Sequence, residues 1–337
     1  GNTNIVTSDG NVTITGGTEG IYSAEVLPAG IGYSLSINSG SGNIIVGNET
    51  GFGDKDGTAA LINNLLLSSS ASTKIGSGNQ LIGRDMNVAG GPLTLLGDAL
   101  LGGRSLVTPA GVDGAGHNLD LGFTEQTTID GNFTNINNLK SSYSVALEGG
   151  ITTSGYQEYN ASAVLVGNTT LQGTDLTFSN GLGGNGNNLD LNFSNTTFLN
   201  DNFANIRDLT SEGDVSLSGT ITTSGSQDYK AAADLSDNTT LEGNSLTLAS
   251  GVDGNSKSLN LNFSQTTSLD GNFTNINNLI SEGDVSLNGN LITLGDQTYK
   301  ADTILSGDTD IVTSGGDVTI TGGTGGIYSA EVLPAGI

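Results

Sequence analysis

The sequence predicts an all-β fold, a parallel β-solenoid drawn out as an elongated rod, and three observations carry that prediction. A 70-residue block recurs in tandem without a gap, short apolar/polar alternations fill it, and turns rich in Gly, Asn and Asp separate them. Tandem periodicity marks stacked units, each needing its neighbours to bury its apolar side. Alternation with period two, as in Leu189 to Phe193 or Asp214 to Ser218, makes one strand face buried and the other wet. Gly and Asn tolerate the left-handed backbone that lets a chain corner sharply every few residues. Sandwiches, barrels and propellers also use short strands, but nothing in this periodicity fixes a strand number that would close a sheet.

The run ITTSGYQEYNASAVLVGNTTLQGTDLTF from Ile151 returns from Ile221 as ITTSGSQDYKAAADLSDNTTLEGNSLTL and begins again at Leu291. It sets Gln157, Gln227 and Gln297 in one phase and Tyr159, Tyr229 and Tyr299 in another. The second half of the block is kept more closely, as LDLGFTEQTTIDGNFTNINNL at Leu119, LDLNFSNTTFLNDNFANIRDL at Leu189 and LNLNFSQTTSLDGNFTNINNL at Leu259. Phe123 and Phe133, Phe193 and Phe203, and Phe263 and Phe273 recur in it and are expected in the core, stacked where coils bring them together. The asparagines from Asn135 to Asn138 and from Asn275 to Asn278 are expected to turn inward at corners or form amide ladders.

Blocks thus span 81–150, 151–220 and 221–290. The first aligns gaplessly from Leu81, with Leu95 against Leu235, Leu101 against Leu241, Gly103 against Gly243, and Ala89 where the tyrosine stands elsewhere. With about 20 to 25 residues per coil, a block winds about three coils. Glu212 and Glu282 then fall on one stack, ~14 Å apart at a strand spacing of ~4.8 Å.

A longer period overlies the first. Residues 1–31 reappear at 307–337, identical at 26 of 31 positions after a shift of 306. Residues 1–337 therefore read as one continuous solenoid segment, a window on a longer array whose module holds about 12 to 15 coils. Residues 32–80 lie outside the 70-residue phase, as an irregular insert or as divergent coils. Within them Ala59 to Leu67 suits a short helix or lateral loop, or equally a buried coil.

Gly supplies 53 residues, and 34 acidic against nine basic side chains leave a formal charge of −25. Such a surface repels phosphate backbones, so nucleic acid is not an expected partner. The charge keeps a β-rich polymer soluble, or is screened by divalent cations or salt in its native setting. There is no cysteine, which removes disulfides and thiolate metal sites. No apolar run of membrane-spanning length occurs, so no membrane insertion is expected of this segment.

His117 is the single histidine, and its block equivalents are Asn187 and Lys257, the pattern of a surface turn rather than of a general base. A glycosidase needs two carboxylates converging at about 5 to 10 Å in a cleft, and a repeating surface gives no privileged pair. No catalytic residue and no enzyme activity are expected. Gly183 to Leu191 resembles a calcium-binding nonapeptide, but Asn188 stands at the ligand aspartate, so a Gly-rich corner is the better reading. Asp113 and Asp253, in GVDG turns, are the weak calcium candidates; no other cofactor is expected.

At ITTSGSQDYKAAADLSDNTTLEGNSLTLASGVDGNSKSLNLN, from Ile221 to Asn262, the sequence resembles the repeats of large filamentous-haemagglutinin-like bacterial exoproteins, two-partner-secreted or autotransported adhesins among them. Those repeats also run T-T-x-G-x-Q-x-Y, an apolar strand, N-T-T-L-x-G, and a V-D-G turn. The resemblance covers about 81–306. It implies a right-handed parallel β-helix, and an extracellular or cell-surface location on a Gram-negative-type bacterium. The expected function is the structural shaft of a giant repetitive fibre or adhesin, giving length, stiffness and attachment. Expected partners are further copies of the module, in the same chain or end to end, with neighbouring fibres or host and cell-surface glycans. The alternatives are a polysaccharide-acting β-helix enzyme and a calcium- or carbohydrate-binding module.

Overall fold

The computed structural model describes residues 2–15, 21, 33–47, 61–323 and 327–329. Among these there is no helix, strand makes up 61%, and parallel sheets stack as a β-solenoid of about 13 turns. Contacts group the chain into two compact units, Gly1–Ala163 with Gln172–Thr174, and Val164–Leu171 with Asp175–Ile337.

In the first unit the chain visits three sheet faces in rotation. The first holds Thr3–Val6, Leu35–Asn38, Leu65–Ser69, Asp85–Gly90 and Ser105–Val107. The second holds Val12–Ile14, Ile44–Val46, Thr73–Ile75, Leu93–Leu95, Val112–Asp113 and Phe133–Thr134. The third holds Gly78–Leu81, Ala99–Gly103, Leu119–Phe123, Leu139–Ser141 and Gln157–Tyr159. Residues 33–47 and 61–80 thus join the same faces as divergent coils. Where a helix was the other reading, Leu65 and Leu67 face the core of a strand with Leu66 outside; Ala59 and Ala60 lie outside the described residues.

The second unit repeats the plan. One face stacks Leu191, Ser211, Tyr229, Leu248, Leu269, Leu287 and Leu305. Another stacks Leu182, Phe203, Ile221, Leu241, Leu261, Ser281 and Tyr299. The remaining face carries Thr197, Val215, Ala233, Val252, Phe273, Leu291 and Ile311.

These pairings correct the expected coil. Leu209 pairs with Gln227, 18 residues on, and Leu246 with Thr267, 21 on. Between Leu189 and Leu259 the chain takes eleven strand steps, so a 70-residue block winds three and two-thirds turns, not three. Equivalent residues of successive blocks therefore land on different faces: Leu191 stacks with Tyr229, whereas Leu261 stacks with Tyr299. Glu212 and Glu282 likewise follow different faces and share no stack.

The predicted core residues are inside. Phe123, Phe133, Phe193, Phe203, Phe263 and Phe273 are all buried, as are the three Gln–Tyr pairs. Ten residues span two strand steps, so the paired phenylalanines of a block sit on different faces rather than on one another. Phe203 instead meets Phe178 edge to face, with centroids 5.6 Å apart and planes at 82°.

The gapless alignment of the first block fails over one strand. It places Asn87 and Ala89 with Gln227 and Tyr229, which point inward, yet Met86 and Val88 are the buried pair and Asn87 and Ala89 face out. Burying a large apolar side chain is worth about 1.5–3 kcal/mol, and a one-residue slip exchanges the two faces of a strand, so the apolar pair wins. Gly90, at φ +96°, turns the corner, and by Leu93 and Leu95 the alignment with Ala233 and Leu235 is restored. In the longer repeat, Val12–Ile14 and its counterpart Val318–Ile320 both form strands.

Candidate functional site

The most specific side-chain constellation is a buried polar staple that recurs with the block. Gln227 donates from Nε2 to the carbonyls of Ile221 at 3.0 Å and Glu242 at 2.9 Å, while the Tyr229 hydroxyl donates to its Oε1 at 3.1 Å. Gln157 makes the same bonds to Ile151, Gln172 and Tyr159 at 3.1, 2.9 and 2.9 Å. Gln297 binds Leu291, Val312 and Tyr299 at 2.9, 2.8 and 2.7 Å. Strands Val215–Thr223 and Ala233–Gly243 are adjacent rungs, so Gln227 ties two successive turns of a neighbouring face from inside the core. Burial pushes all three phenols well above their ordinary pKa, which keeps each a neutral donor.

Outside, the corners are bound by side-chain ladders, and Asn135, Asn275 and Asn277 are exposed there rather than turned inward. Asp98 accepts the Asn118 N–H at 2.9 Å, Asn138 that of Tyr156 at 2.9 Å, Asp208 that of Ser226 at 2.9 Å and Asn278 that of Asp296 at 2.8 Å. The Ser226 N–H and then Arg207 hold the Asp208 carboxyl below the usual carboxylate range against a desolvation that opposes them. Asn135, Asn205 and Asn275 take left-handed backbone at φ 51°, 57° and 53°. Glu212 pairs with Lys230, and Glu282 with Lys300 at 2.7 Å, each bridging one turn to the next.

His117 sits on an exposed corner with Nδ1 3.8 Å from Asp98, and Lys257 at the equivalent place lies 3.6 Å from Asp237. Asp113 is occupied within its turn, accepting from the Ala115 N–H and Asn135 Nδ2, both at 3.0 Å. Asp253 does the same with Asn255 and Asn275, both at 3.1 Å. Among the described residues no three His, Cys, Asp or Glu side chains converge as a metal site. The nonapeptide-like stretch is a corner, with Asn185 and Gly186 at φ 50° and 77° and Asn185 Nδ2 bonded to the Leu165 carbonyl at 3.0 Å.

One carboxylate stands out that the sequence did not single out. Asp120 Oδ1 is buried without a hydrogen-bond partner, and burial pushes its pKa up despite Lys140 nearby. Lys140 is itself engaged by Glu158 at 3.3 Å. The block equivalents are Asp190, which is exposed, and Asn260, which carries no charge.

No family model matches the chain, and no curated protein or solved structure matches it either. The repeat β-solenoid architecture is therefore established by the strand pairings alone.

Proposed function

We propose that this chain is a repeat segment of the structural shaft of an extracellular fibre or adhesin, displayed on the surface of a Gram-negative-type bacterium. The observation that carries the reading is the recurrence, in both units, of coils tied from inside by a Gln–Tyr staple and from outside by corner ladders. A catalytic or small-ligand protein has no need to repeat such ties along its length; a load-bearing element does, because each rung then shares stress with the next. The acidic surface keeps such a polymer soluble, and the resemblance of Ile221 to Asn262 to exported adhesin repeats supports the location. The chain acts without turnover, and its natural neighbours are further copies of the same module.

The test joins electron microscopy of the native protein to protease challenge. Rods whose length scales with the number of modules, resistant to protease until denatured, are the expected result. A compact particle, or turnover of a polysaccharide lost on changing one carboxylate, defeats the reading.

A further inference from the structure

One coil is present twice in this chain, and its two copies are paired on opposite edges. Residues 1–31 and 307–337 differ where Asn2, Asn4, Asp9, Asn11 and Glu19 stand against Asp308, Asp310, Gly315, Asp317 and Gly325. The inward positions Ile5, Val12 and Ile14 return unchanged as Ile311, Val318 and Ile320. Both copies close the same turn, Thr7 Oγ1 donating to the Gly10 carbonyl and Thr313 Oγ1 to the Gly316 carbonyl, each at 2.6 Å. The first copy pairs with the rung that follows it, Thr3–Val6 with Leu35–Asn38 and Val12–Ile14 with Ile44–Val46. The second pairs with the rung that precedes it, Thr309–Thr313 with Gly289–Thr293 and Val318–Ile320 with Gln297–Tyr299.

The two sets of bonds use different groups of the same backbone. Forward, the Thr3, Thr7 and Val12 N–H groups donate to the carbonyls of Ser34, Asn38 and Asn43, and the Ile14 carbonyl accepts from Gly47. Backward, the Ser314 and Thr321 N–H groups donate to the carbonyls of Thr293 and Tyr299, and the Asp317 carbonyl accepts from Gln297. Those three correspond to Ser8, Thr15 and Asn11, so no group is claimed twice, and one coil of this sequence can hold a rung on both edges. Exposure marks the uncovered edge: Val12, lying against Ile44, is 9% exposed, whereas Val318 is 44% exposed.

We propose that the coil at 307–323 is a shared rung on which a second copy of this module stacks, with its Leu35–Asn38 over Thr309–Val312 and its Ile44–Val46 over Val318–Ile320. Three interior columns then continue across the junction: Leu291, Ile311 and Ile37; Gln297, Val318 and Ile44; Tyr299, Ile320 and Val46. The first and last member of each is already buried. The corner ladder continues as well. Asp296 accepts the Asp317 N–H at 2.9 Å, and Asn11 accepts the Asn43 N–H at 2.8 Å, a role that the Asp317 carboxylate takes at the junction. Outside, Asp310 falls between Asn290 and Ser36, so no like charges meet. A slip of one residue would turn Ile311 and Val318 outward, which fixes the register. The junction depends on the shaft reading for its setting and adds to it the surface and the register by which the partner is held.

Because the copies are so alike, residues 32–337 can follow Ile337 a second time with the repeat unbroken. In this tandem chain, Asp310→Cys and Ser36→Cys of the second copy become outward neighbours, while Asn290→Cys with Asp310→Cys is a pair already in register. With a short bismaleimide we expect both pairs to link within the chain at similar rates, and amide hydrogen exchange at Thr313 and Val318 to be slower in the tandem than in the single chain. A pair at 310 and 36 that stays unlinked while 290 and 310 link, or exchange at Val318 as fast in the tandem as in the single chain, overturns the proposal. Native rods seen beside an unlinked pair would remove the junction and leave the shaft; a compact native particle beside a linked pair would do the reverse.

Discussion

The strand at Phe133 and the strand at Phe203 descend from the same phase of one repeat, yet the second has a partner rung on both edges and the first on only one. Both phenylalanines are buried and both lie opposite a coil that ends in the same Ile-Thr-Thr-Ser run. The differences include the pair of residues entering that coil, Gly-Gly in one case and Gly-Thr in the other, and the strand itself, with Asp130-Gly131 against Asn200-Asp201 and Thr134 against Ala204. Adjacent ladders hold on either side of the opening, Thr127 with Val145 and Leu139 with Gln157. A solenoid therefore tolerates a local fault because each rung is also secured through its neighbours.

The comparison can be broken most forcefully at the phenylalanines. Phe203→Ala is expected to cost about 3–5 kcal/mol, as removal of a ring from a closed core does. Phe133→Ala should cost at least about 1 kcal/mol less, because the site is already open on one edge. Urea denaturation of the two variants checks this; equal losses would mean that the opening has no energetic reality.

Glycines sharpen the same contrast. A Cβ at Gly254 would lie 2.4 Å from the Ile276 Cα, where backbone must move, so Gly254→Ala is expected to destabilise by about 1–3 kcal/mol. Gly150→Thr, facing open space, should stay within about 0.5 kcal/mol of the parent or gain slightly from a stiffer unfolded chain. Melting curves of the two side by side decide.

Acid titration gives a smaller effect with a definite sign. Asp208 has its folded pKa lowered beneath 3.8, so its contribution is present above that value and is lost as pH falls through the lowered one. Asn138 and Asn278 fill the same place in the other blocks with a neutral acceptor. Asp208→Asn should keep the ladder and flatten the fall in melting temperature as the pH drops below about 4. A fall as steep as the parent's would remove Asp208 from the account.

Asp120 runs the other way and is the smallest effect. Its folded pKa is raised by burial, so the stability linked to its proton is present below 3.8 and lost as pH rises through the raised value. Asp120→Asn, which copies Asn260, should raise the melting temperature slightly at pH 7 and leave it unchanged at about pH 3. A lower melting temperature at pH 7 would contradict it.

Much of this was legible beforehand, for reasons that particular residues make clear. Alternation told inside from outside at Leu189, Leu191 and Phe193, and tandem phase told that Gln227 and Tyr229 do what Gln157 and Tyr159 do. Neither signal says which face a strand occupies, since a period of two is blind to the number of corners. Hence the two-thirds of a turn left over by each block, and the separation of Glu212 from Glu282, emerged only from pairing. At Met86 and Val88 the apolar parity was in the sequence, but the gapless alignment overrode it. The opening beside Gly150 shows only in the missing strand pairing, and the burial of Asp120 depends on neighbours one turn away.

The central claim is that successive turns lie in parallel register with each block displaced by one face, and site-directed cross-linking tests it most directly. The chain has no cysteine, so pairs can be introduced cleanly. Thr210 and Asp228 are register partners on adjacent rungs, whereas Thr210 and Ile280 share a repeat phase but belong to different faces. With a short bismaleimide, Thr210→Cys/Asp228→Cys should cross-link within the chain rapidly and almost completely, and Thr210→Cys/Ile280→Cys should not. The opposite pattern, or none at all, would contradict the fold described here.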